Sequence, residues 1–109
     1  MNTDPEFLIN EYRRCGHHYA KMRASEQAAE HYRKVLLAIL MSHSTETSVA
    51  AQEREAYADE QYATHLGKLR AAVEGMESAR IDMRAAEYAI EIWRTQQANE
   101  RMERKAYAA

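Results

Sequence analysis

From Val49 to Tyr107 the chain contains no proline, and apolar residues recur at helical spacing throughout. Ordinary globular helices run roughly 8–20 residues. A helical stretch this long must bury its apolar stripe against a partner, in the same chain or in a second copy. Composition agrees: Gly 3, Pro 1 and Phe 1 stand against abundant Ala, Glu, Arg, Met and Gln, which are among the strongest helix formers. A chain biased in this way reads as long helix or coiled coil. No segment alternates with the period of a strand.

The 109 residues allow one domain. A formal net charge of −2 argues against a general electrostatic nucleic-acid binder, which carries a strongly basic balance. A single cysteine excludes an internal disulfide framework and fits a reducing compartment. The longest apolar run, Val35 to Met41, falls far short of the roughly 20 residues that span a bilayer. Asp4 and Glu6 stand where a secretory signal would carry basic residues. A cytoplasmic protein with no membrane contact is expected.

Thr3 followed by Glu6 forms a capping box, and Pro5 is tolerated in a first turn. Leu8, Tyr12, Cys15, Tyr19, Met22, Ala29, Leu36 and Leu40 then recur at four- and three-residue steps, with Glu26 and Arg33 as interruptions. Tyr32, Val35 and Ile39 widen this stripe. Gly16 costs about 1 kcal/mol relative to Ala in a helix interior, unless it admits a close neighbour. The hydroxyl-rich segment from Ser42 to Ser48 favours caps and turns, with Ser48 or Thr47 as N-cap. The second helix carries Ala56, Ala63, Leu66, Leu69, Val73, Met76, Met83, Ala86, Ile90 and Trp93. Glu30–Lys34 and Glu100–Arg104 are favourable pairs four apart.

These signals predict an all-α, coiled-coil-like fold: a long unequal antiparallel hairpin with helix one over about 4–42, a turn over about 43–48 and helix two over about 49–107. The rival is one uninterrupted helix in a parallel coiled coil. Folding about position 45 brings the start of helix one near Glu87. The remaining stretch, roughly 20 residues or about 30 Å of helix, then lacks an intrachain partner. Small two-helix cores are marginal, so a homo-oligomer, most simply a dimer forming a helical bundle, is expected through Tyr88, Ile90, Ile92, Trp93 and Met102.

Candidate chemistry is sparse. Cys15 and His18 have zinc-compatible spacing, with His17 and His31 nearby, but no second ligand pair exists. Glu87 and Glu91 lack the Glu-x-x-His of a ferritin-like site. No phosphate loop or nucleophile elbow is present. The expectation is no enzyme, no metal and no cofactor. Arg80, Arg94 and Arg101 share a heptad position, with Arg84 one turn from Arg80. Arg13 and Arg14 make the start of helix one basic as well. Glu46, Glu53, Glu55, Asp59 and Glu60 lie near the turn. Dipole complementation and solubility account for such a pattern. Docking to phosphates, an acidic partner or the acidic end of another copy is the functional alternative.

The run from Thr47 through Ala58, with Tyr62 and a closing Ala89-Ile90-Glu91-Ile92-Trp93-Arg94-Thr95, resembles small helical proteins of bacteriophages. Those carry a Ser-Val-Ala-x-Arg-Glu-like helix start and an Ile-x-x-x-Arg-Ser-like end. Here one residue is inserted at the start, and Thr95 replaces the final Ser. The resemblance implies a role beside phage DNA recombination or replication in the host cytoplasm, through a protein or single-stranded nucleic acid. The alternative is an inhibitor of a host defence or nuclease system acting by protein–protein binding. A secreted hairpin of the Trp-x-Gly type is set aside, because the turn lacks that motif.

Overall fold

The computed structural model describes residues 4–108. It is all-α, with helices α1 (Pro5–Ser42), α2 (Val49–Tyr57) and α3 (Glu60–Ala108). The chain divides into two compact units: unit 1 joins Met1–Ala20 to Ser78–Ala109, and unit 2 is Lys21–Glu77. In each, a segment of α1 packs antiparallel on a segment of α3. The Thr3 half of the expected capping box lies outside the described residues. At the same helix start, the Glu6 backbone N–H donates to Asp4 Oδ1 at 3.1 Å.

The hydroxyl-rich segment forms a turn because its side chains occupy backbone and carboxylate partners. Ser44 Oγ donates to Glu55 at 2.7 Å and accepts from the Glu46 N–H at 3.1 Å. Ser48 is the N-cap of α2, with extended backbone and its hydroxyl accepting from the Ala51 N–H. This is the helix start expected from the sequence. The second helix, however, is not continuous over 49–107. It breaks at Ala58–Asp59, where the Asp59 N–H bonds to the Ala56 carbonyl and Asp59 Oδ1 accepts from the Gln61 N–H at 2.7 Å. Asp59 thereby starts α3 as a cap.

Over the first turns of α3 the inward face is offset from the expected stripe, which it rejoins at Leu69, Met76, Met83, Ala86, Ile90 and Trp93. In unit 2 the inward residues of α3 are Tyr62, His65, Leu69, Ala72 and Met76, whereas Ala63, Leu66 and Val73, expected in the stripe, are exposed. A reading by hydropathy alone passes over His65, although this side chain is 9% exposed and its Nε2 lies 2.7 Å from the Ala29 carbonyl oxygen. Leu36 and Leu40 of α1, Ala56 of α2 and Tyr62 of α3 form the core cluster, with Leu37 and Met41 packed beside it. In unit 1, Leu8 and Cys15 of α1 and Ala79 and Ala86 of α3 are buried.

The register also differs from a fold about position 45. Ile90, Trp93 and Arg94 line one groove with Pro5, Leu8, Ile9 and Tyr12. The first turn of α1 therefore lies beside Trp93 and Arg94, about two turns beyond Glu87. Ile90 and Trp93 have intrachain neighbours and are half-buried. The shift arises because the connection includes α2 as well as the turn. What extends beyond the α1 start is correspondingly shorter.

A Cβ added at Gly16 would meet nothing within 4 Å, so this glycine serves no close approach. Gly16→Ala should stabilise by roughly 0.5–1 kcal/mol through helix propensity alone. Leu36→Ala, which hollows the unit 2 core, should destabilise by about 2–3 kcal/mol. Urea unfolding followed by far-UV circular dichroism measures both.

Candidate functional site

The polar groups of unit 2 gather where α1 meets the start of α3. Arg33 occupies a seam position of α1 and is only partly exposed. Its guanidinium donates to both Glu30 carboxylate oxygens, the shortest contact being 2.9 Å, and to the Tyr62 hydroxyl at 3.0 Å. Glu30 thus bonds to Arg33 three residues on, while Lys34 adds only a weaker attraction. The Arg33 hydrogen bond holds the Glu30 carboxyl below its ordinary range, and Glu30 in return keeps Arg33 more firmly cationic. One turn away, the Tyr32 and His65 rings meet edge to face with centroids 5.0 Å apart. Tyr32, Leu36, Gln61, Thr64, His65 and Lys68 line a shallow open groove there. Arg33, Glu30, Tyr62 and His65 each have a partner within this seam.

In unit 1, Arg14 pairs with Glu11, lowering the Glu11 carboxyl from its ordinary range. Arg14 also reaches the Cys15 sulfur at 3.6 Å. Arg80 is half-buried, with its guanidinium carbon 5.8 Å from the Tyr19 ring centroid. Arg13, Arg14, Arg84, Arg94 and Arg101 are exposed. Arg80 is therefore part of the packing, and the rest of the expected basic line stands in solvent. That line is diluted: unit 1 holds eight basic and eight acidic residues, which cancel. A phosphate-tracking surface is strongly basic. This one is mixed.

Of the residues expected at an oligomer interface, Tyr88, Ile92 and Met102 are exposed, while Ile90 and Trp93 serve the packing of unit 1. Cys15 is buried and His17 and His18 are exposed. Among the described residues no group of three or more His, Cys, Asp or Glu is placed to hold a metal ion, and no helix is long and apolar enough to cross a membrane.

Tyr32, Val35 and Ile39, expected to widen the packed stripe of α1, stand exposed instead. Val35 and Ile39 are 38% and 41% exposed, and Tyr32 beside them is half-exposed. The signal was present in the spacing of these three residues, which continues beyond what one partner helix can cover.

The Glu30 contact has a defined pH signature. Its folded pKa lies below the ordinary value of 4.5, so the contact stabilises the fold above the carboxylate range of the unfolded chain. That contribution is lost as pH falls through the lower folded value. Thermal melts of the wild type should therefore lose more stability than Glu30→Gln between about pH 5 and pH 3. Equal losses in both proteins would show that the contact carries no stability. Comparison with protein-family models, curated proteins and solved structures finds no match for this chain.

Proposed function

We propose that this chain is a non-catalytic helical interaction protein that works by laying an exposed apolar helix face against another protein chain. The observation that carries this reading is the segment Val35–Met41 of α1. It is apolar on every side, and a helix of that kind requires cover on every side. Leu36 and Leu40 receive it inside unit 2, but Val35 and Ile39 do not.

Charge favours a protein over nucleic acid as the occupant, because the basic line of unit 1 is offset by an equal number of carboxylates. The setting implied by the phage resemblance, DNA recombination or replication, is then served through a protein partner.

A photo-crosslinking amino acid at Ile39 tests the reading. In the bacterial cytoplasm, illumination should yield protein adducts at this position and none at exposed Arg70. No protein adduct at 39, together with a salt-sensitive gel shift of a single-stranded oligonucleotide, would reverse the assignment in favour of nucleic acid.

A further inference from the structure

We propose that the chain pairs with a second copy of itself as a parallel, in-register coiled coil along the solvent side of α3 in unit 1. This surface is separate from the α1 face at Val35 and Ile39, which belongs to unit 2. Either can hold without the other.

Ile81, Tyr88, Thr95 and Met102 stand seven residues apart. Ala85, Ile92, Asn99 and Ala106 fall between and after them, so that the row advances by alternating steps of four and three. All eight are exposed, Ile81 at 67% and Met102 at 70%. Between Ile81 and Ala106 the chain carries ten charged residues, and none of them falls on this row. An uncharged row kept over more than three heptads is a coiled-coil seam. The opposite side of the helix is already engaged, since Ala79, Met83, Ala86, Ile90 and Trp93 turn inward. A second helix can therefore reach the row without displacing α1.

The row also runs where α1 no longer reaches. α1 begins at Pro5, beside Trp93 and Arg94. Roughly 14 residues of α3, about 20 Å, extend past it. Helices in water are held chiefly by packing of a face, and two copies side by side cover each other's extension with one two-fold interface.

Asn99 identifies the occupant. Each of Ala85, Ile92, Asn99 and Ala106 takes the position that packs residue against like residue in a parallel pair. An asparagine there is satisfied by the same amide of an identical helix in register, and it fixes both strand number and alignment. An apolar helix of another protein would leave that amide without a partner.

Flanking charges agree with the parallel alignment. It sets Arg84 beside Ala89, Glu91 beside Gln96 and Ala98 beside Glu103 of the other copy. One like-charge approach remains, Glu77 toward Asp82 at the upstream margin. An antiparallel pair covering the whole row would set Arg84 beside Lys105 and Asp82 beside Glu103, with repulsion along both edges.

Sedimentation equilibrium of the full chain at micromolar concentration tests the pairing. The wild type should run at twice the 12.6 kDa chain mass. Ile92→Glu should weaken the dimer by about a hundredfold, with helical circular dichroism retained because Ile92 is already exposed. Asn99→Leu should tighten association about tenfold or more and admit species larger than a dimer. In a Cys15→Ala background, Met102→Cys should give a disulfide-linked dimer under mild oxidation, since parallel alignment brings the two positions 102 together. A wild type that sediments as monomer would overturn the proposal. So would a dimer kept in Ile92→Glu but lost in Val35→Glu, or a dimer that forms no cross-link through position 102.

Discussion

Arg33 interrupts the apolar seam of α1 between Ala29 and Leu36, and the way its charge is met governs the architecture of unit 2. A guanidinium withdrawn from water without a partner costs several kcal/mol, by order of magnitude. Here Glu30 neutralises it from the same helix and the Tyr62 hydroxyl accepts from it across the seam. Sliding α3 by one turn would break the Tyr62 contact and pull His65 from the Ala29 carbonyl at the same moment. Leucine pairs tolerate such a slip, because one apolar contact replaces another. Two directional polar contacts do not, and a polar residue at a seam position is an established way to fix register.

That device also explains where the sequence was readable and where it was not. The α1 stripe from Leu8 to Leu40 could be taken directly from spacing, including Glu26 and Arg33 as interruptions, because a single unbroken helix keeps one phase. The turn was readable from its hydroxyls. The phase of the first turns of α3 was not, because Asp59 in a run of Ala, Glu and Tyr carries no breaking signal of the Gly or Pro kind, whereas Leu69, Met76, Met83, Ala86, Ile90 and Trp93 turn inward as their spacing implied. His65 looked polar until a carbonyl one helix away satisfied it. Leu66, one position on, offered a plausible but wrong stripe. The same error of phase, with α2 unrecognised, placed the start of α1 too early along α3.

The candidate site was legible as residues but not as roles. Arg80 shares a heptad position with Arg94 and Arg101, and spacing alone treats the three alike. Tyr19 separates them, since its ring lies 5.8 Å from the Arg80 guanidinium carbon while Arg94 and Arg101 are exposed. Trp93 and Ile90, expected to await a second molecule, are engaged by Leu8, Ile9 and Tyr12. A face that lacks cover is elsewhere, on a turn of α1 whose own core contacts are already satisfied. Surplus apolarity marks a surface for recognition only once the fold has claimed its share, and that division is a three-dimensional fact.

Cys15 is the chain's single cysteine and is 5% exposed within unit 1. A thiol reagent reaches it only when that unit opens, so the rate of labelling in native buffer times local unfolding directly. Trp93, the single tryptophan, belongs to the same unit. The molecule thus carries a chemical clock and an optical probe on one unit and neither on the other, so that both report the opening of unit 1 by itself.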